Sequence, residues 1–117
     1  MSQAHAYRGC RKSNGDAFVR RVWNIHRTRE ASLPPRLDLD NHSPTGFEWG
    51  YGGSGPAQLA LAILADALDD DERAARLHQE FKWRVIAPLP RDSEWQITRD
   101  EVLFFVKVIE NLREAAP

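Results

Sequence analysis

The sequence predicts an α+β fold, with a small antiparallel or mixed sheet and about three helices. Three observations carry that reading. Short runs rich in β-branched and aromatic residues lie near the start of the chain and again around Trp95. Apolar residues recur at helical spacing through much of the second half. Between these regions lies His42 to Leu64, HSPTGFEWGYGGSGPAQLALAIL, which holds five of the seven glycines and runs into the most apolar helix-like stretch. So many glycines just before a helical run mark a sharp change of chain direction.

Taken in order, residues 1–16 are polar, with Tyr7 as the obvious anchor, and read as a partly flexible N-terminal arm. Residues 17–25, AFVRRVWNI, read as a strand. Asn14-Gly15 just before it is a turn pair, which makes residues 7–12 the hairpin partner. Pro34-Pro35 excludes a helix in the segment that follows. Phe47, Trp49 and Tyr51 alternate with Glu48 and Gly50, the period of an extended arm with one aromatic face. Gly52, Gly53 and Gly55 are then expected to supply positive φ, with Ser54 or Gly55 as N-cap and Pro56 at the first helical position.

The central helix is expected over residues 56–68. It is apolar nearly all round and kept thin by alanines at 57, 60, 62, 65 and 67. Asp70 or Asp71 is placed to cap a second helix over residues 71–81, and carboxylates at its start favour the positive end of the helix dipole. Trp83, Val85 and Ala87 alternate and read as a strand stopped by Pro88 and Pro90. Trp95 and Ile97 form a short extended piece. Thr98 and Glu101 make a capping box for a last helix whose apolar stripe is Val102, Phe105, Val106, Ile109 and Leu112.

The 117 residues are expected to form one domain, with the hydrophobic and charged content of an ordinary globular protein. No run approaches the roughly 20 apolar residues that span a bilayer, and no apolar signal core is present, so a cytoplasmic address is expected. Cys10 is the single cysteine, which excludes an internal disulfide and a cysteine cluster holding zinc or iron. Charge is unevenly placed: residues 1–36 carry a net +6, residues 37–80 a net −7, and residues 81–117 balance. Such a split marks a partner-steering or nucleic-acid surface, or two segments that lie side by side and neutralise each other.

The block HSPTGFEWGYGGSGPAQLALAILAD, with the later FK and the closing W-x-I-T before the last helix, resembles an uncharacterised family of short proteins. That family is catalogued as a domain of unknown function and occurs in bacteria, archaea, plasmids and phages. The resemblance implies a mobile-element setting for some members and no established reaction.

Several constellations have to be weighed. Gly50 to Gly55 matches G-x-G-x-x-G before a helix, a context that suits an anion at a helix N-terminus. The wider pattern fails, because Asp69 to Asp71 arrive directly from the helix rather than from a second parallel strand. The alternative reading places a small ligand or nucleotide on Trp49, Tyr51, Gly52, Gly53 and Ser54. His42, Glu48 and Ser54 are the side-chain types of a hydrolytic triad, and closeness in sequence says little about geometry. The four histidines show no metal-ligand spacing, so no metal and no cofactor are expected.

The acidic run of Asp66, Asp69, Asp70, Asp71 and Glu72 can imitate a row of phosphates, and Arg20, Arg27 and Arg29 can grip a nucleic-acid backbone. Strand alternation sets Arg20 and Arg21 on opposite faces. The expected function is that of a non-catalytic interaction protein that presents charged surface to a protein or nucleoprotein partner, for example as an inhibitor of a CRISPR effector. The alternative is a ligand-binding or enzymatic domain built on the glycine turn. Direct nucleic-acid binding is a further partner class, and no membrane partner is expected.

Overall fold

The computed structural model describes residues 3–23 and 29–115. Its sheet is formed by β1 (Ala6–Arg11), β2 (Ala17–Val22), β3 (Glu30–Ser32) and β4 (Trp95–Thr98), all antiparallel in the order β3-β2-β1-β4. The helices are α1 (Ser54–Leu68), α2 (Asp71–Phe81) and α3 (Arg99–Ala115), with a π-helical turn at Lys82–Ile86 continuing α2. This is the expected α+β architecture.

The β1–β2 hairpin closes at Asn14-Gly15. The Lys12 N–H donates to Asp16, the Gly15 N–H donates back to Lys12, and Gly15 takes φ +92°. A left-handed residue at that place is what a short hairpin loop needs. β1 lies between β2 and β4, so residues 6–11 are central to the sheet rather than part of a peripheral arm. The expected continuation of β2 through Asn24 and Ile25 falls outside the described residues.

Cross-strand register puts Tyr7 opposite Arg21 and Ile97, and Arg8 opposite Arg20 and Gln96. Arg20 and Arg21 therefore point to opposite faces, as alternation requires. On the Tyr7 face, Tyr7, Val19, Trp95 and Ile97 join the leucines of α1 in a single core cluster.

α1 is buried along most of its length, from Gly55 through Ala65 and again at Ala67. α2 has the boundaries that the periodicity predicts, and the Asp70 carboxylate caps it by accepting from the Arg73 N–H at 3.0 Å. α3 opens with the expected capping box: Glu101 N–H donates to Thr98 Oγ1 at 3.1 Å, and Glu101 Oε1 accepts from Thr98 N–H at 3.0 Å. Val102, Val106 and Ile109 form its buried stripe, whereas Leu112 faces outward.

Two local expectations are corrected. Residues 83–87 form no strand: α2 continues through Lys82, and the Ala87 N–H donates to Lys82 O in a wide, π-type ring. The turn buries Val85 and Ile86 and turns Trp83 outward. Within the glycine-rich segment the positive φ values belong to Gly46 at +129° and Gly50 at +86°, not to Gly52, Gly53 or Gly55. The left-handed step therefore falls at Gly50, two residues before Gly52. Gly53, at φ −106°, is the N-cap, Ser54 begins α1, and no side chain caps it.

Candidate functional site

The aromatic arm divides into three fates. Trp49 is fully buried, edge-on to Trp95 at 5.4 Å, with the Arg11 guanidinium 4.4 Å from its ring centre. Phe47 is half-buried against the core, and Tyr51 is exposed, with Arg91 over its ring at 4.9 Å. The expected common aromatic face does not form. Trp49 is unavailable to stack on a ligand, because the core already covers it.

Arg11 ties this region together. Its guanidinium donates to both oxygens of Glu48, at 2.7 and 3.2 Å, and to the backbone carbonyls of Arg91 and Gly15. A bidentate pair of this kind fixes orientation as well as charge. It leaves Glu48 committed to structure. His42 is engaged elsewhere, and no hydrogen bond among the described residues joins it to Glu48 or Ser54, so the triad side chains are not assembled.

A polar cleft of about 450 Å³ opens at the start of α1, between Lys12, Asp16, Thr45, Glu48, Tyr51 and Ser54. Of the ligand-binding candidates, Tyr51 and Ser54 line it. Gly52 lies against the Trp83 indole and Gly53 against the Tyr51 ring, each so close that a side chain there would strike the ring.

The charge split largely resolves inside the molecule. Tyr7 Oη donates to Asp66 at 2.7 Å, and Arg21 approaches the other Asp66 oxygen at 3.3 Å. Burial, reinforced by that acidic acceptor, pushes the Tyr7 phenol well above its usual titration range, so it stays a donor. Arg36 bridges Asp38 and Asp71, and Arg8 pairs with Glu30 at 2.6 Å. Asp70 is a cap, and Asp69 closes α1 in a left-handed conformation. The row of five acids is thus broken into structural partners, with Glu72 exposed. Arg20 lies 5.7 Å from the Phe18 ring and Arg29 5.3 Å from the Trp23 ring, while Arg27 lies outside the described residues.

Two features had no signal in local sequence pattern. Gln58, fully buried in α1, accepts from the backbone N–H groups of His42 and Ser43 and donates to the carbonyls of Pro35 and Asp40. One side chain thereby ties both ends of the 35–43 loop to α1. That loop brings His42 Nε2 to 2.9 Å from His78 Nε2 on α2 and 3.3 Å from Asp40 Oδ2. Burial holds the His78 imidazole below its ordinary titration range, and its Nδ1 faces the Ala75 carbonyl at 2.6 Å.

The other unanticipated feature is a groove of about 460 Å³ between the π-helical turn and α3, lined by Glu80, Trp83, Arg84, Leu112 and Arg113. Trp83 is 60% and Leu112 47% exposed. A model for a family of unknown function, DUF6166, matches residues 7–108. The chain belongs to DUF6166. No curated protein and no solved structure matches it significantly. The DUF6166 match runs from Tyr7 in β1 to Val108 in α3, so it spans the polar cleft and the histidine pair and includes Trp83, stopping short of Leu112. No helix among the described residues of this DUF6166 chain is long and apolar enough to cross a membrane.

Proposed function

We propose that this DUF6166 chain is a non-catalytic interaction protein whose docking surface is the Trp83–Leu112 groove and whose partner is a protein presenting an apolar side chain beside carboxylates. The observation that carries the reading is the state of Trp83. Its indole is exposed yet held, with the Gly52 backbone against the ring and Lys82 Nζ 4.6 Å from its centre. A large aromatic ring already fixed in place loses little freedom on binding, and tryptophan is the residue type most enriched at binding hot spots. The groove's charges favour an acidic partner, since Arg84 and Arg113 share the single carboxylate of Glu80, at 3.5 and 3.2 Å.

In its narrowest form the reading makes the partner a host defence complex, such as a CRISPR effector, blocked by occupation of its protein or nucleic-acid surface. Its support is the mobile-element setting that the family resemblance implies. The internal pairing of Asp66 and Asp71 favours a protein surface over a phosphate-like acidic row. The test is capture from a host lysate by immobilised wild-type chain, Trp83→Ala and Leu112→Ser, with CRISPR interference against a targeted plasmid scored beside it. Loss of the captured protein and of plasmid protection in both variants is expected. Equal capture by all three chains overturns the reading.

The polar cleft supports a second reading, a small anionic ligand or nucleotide at the uncapped start of α1, with Lys12 as its cation. Saturable thermal stabilisation by a nucleotide, lost in Lys12→Ala, with no captured protein, would put that reading first.

A further inference from the structure

We infer that Asp40, His42 and His78 form a binding site for a divalent transition-metal ion of the Zn²⁺ class, a site independent of the docking groove. The three offer ligand atoms that all lie within 4.8 Å of one another. Metal–ligand bonds of about 2.0–2.2 Å place neighbouring ligand atoms roughly 3–3.5 Å apart. His42 Nε2 lies 2.9 Å from His78 Nε2 and 3.3 Å from Asp40 Oδ2, so two of the separations already approach that spacing. The Asp40 side chain is 55% exposed and can turn to complete the set.

The supporting contacts are of the kind that hold metal ligands in place. His78 Nδ1–H donates to the Ala75 carbonyl at 2.6 Å, which fixes the tautomer and leaves the Nε2 lone pair facing His42. Asp40 and His42 come from one loop, and the buried Gln58 amide holds the Asp40 carbonyl and the His42 N–H together, at 3.0 and 2.8 Å. Without metal, one imidazole must lend a proton to the 2.9 Å contact between the two Nε2 atoms. Since His78 carries its proton on Nδ1, the donor is His42 Nε2–H, and the Gln79 amide approaches the same His78 nitrogen at 3.3 Å. A cation replaces that shared proton, which moves to His42 Nδ1. Two imidazoles and one carboxylate leave a fourth position open to solvent, because His42 and Asp40 are partly exposed.

The test is isothermal titration of the full chain with Zn²⁺, beside Co²⁺ absorption spectra, for wild type, His42→Ala and Asp40→Asn. His42 and Asp40 are both partly exposed, so both variants are expected to fold, and far-ultraviolet circular dichroism checks this. The expected result is one ion per chain, visible Co²⁺ bands from a low-symmetry site, and at least a tenfold loss of affinity in each variant. No stoichiometric binding, or binding that His42→Ala leaves unchanged, would show that the pair is only a hydrogen-bonded contact and would overturn the inference. Capture of a partner at the Trp83 groove is read separately, so failure of either idea leaves the other standing.

Discussion

Gln58 Oε1 accepts from the backbone N–H of His42 at 2.8 Å, so a buried side chain of the central helix sets the position of a loop residue that local sequence leaves unconstrained. The same amide satisfies Ser43, Pro35 and Asp40, which leaves it no unused hydrogen-bonding capacity. Truncating it strands several backbone groups in the interior. Gln58→Ala is expected to cost about 3 kcal/mol or more, since each buried polar group left unpaired costs roughly 1–3 kcal/mol. Gln58→Glu keeps the acceptor but sets a carboxylate against two carbonyls, and should be nearly as costly. Urea denaturation measures both, and hydrogen exchange should show His42 and Ser43 losing protection first. A loss below 1 kcal/mol would mean that the loop is held by something else.

Tyr7 and Asp66 join the sheet to α1. Tyr7→Phe removes the donor while keeping the ring, and should cost about 1.5–3 kcal/mol, the range for a hydrogen bond to a charged group. Among the described residues Asp66 would then keep the longer contact with Arg21. Thermal denaturation compared with that of Arg21→Ala separates the two partners: a larger loss in Arg21→Ala would place the join on the ion pair instead.

The glycines make a ranked prediction. Gly50 has φ +86°, and a Cβ there would lie 2.8 Å from the Arg91 backbone. Gly46 has φ +129° with open space around it. Gly46→Ala should therefore show strain alone, about 1–3 kcal/mol, and Gly50→Ala that strain plus a clash. Gly53→Ala should cost less than Gly50→Ala, because its φ is ordinary and the obstruction is the side chain of the exposed Tyr51 rather than backbone. Melting temperatures of the three variants test this order, and equal losses would contradict it.

Arg73 and Glu110 link α2 to α3 through two hydrogen bonds. That pairing depresses the Glu110 carboxyl below its ordinary value of 4.5. The sign follows: the folded chain binds the proton less readily than the unfolded chain, so the contribution is complete above about pH 4.5 and is lost as pH falls through the folded value. Both side chains are about one-third exposed, which keeps the effect near 0.5–1 kcal/mol. Arg73→Ala should be destabilised by that amount at neutral pH and converge on wild type in acid. A difference independent of pH would point to packing rather than charge.

Local rules reach the elements whose signals are local. The Asn14-Gly15 hairpin, the Asp70 cap and the Thr98–Glu101 box each involve residues within a few positions, and all three stand in the structure. Trp83, Val85 and Ala87 mislead because so short an apolar run does not separate strand from helix; the turn buries Val85 and its neighbour Ile86, leaves Trp83 outside, and continues α2 without a break. Gly50 rather than Gly53 takes the unusual φ because Trp49 must enter the core beside Trp95, so the chain has to bend at once afterward. His42 and His78 are 36 positions apart on separate elements, and no spacing rule connects them. The neutralisation of the acidic segment by Arg21 and Arg36 likewise depends on tertiary placement.

Hydroxyl-radical footprinting of the chain, free and bound to its captured partner, tests the docking surface most directly. Trp83, Leu112 and Tyr51 are all exposed and reactive in the free chain, yet Tyr51 lies on the polar cleft and the other two on the groove. Protection of Trp83 and Leu112 with Tyr51 unchanged is the predicted result; protection of Tyr51 with Trp83 and Leu112 still open would contradict the groove and favour the cleft.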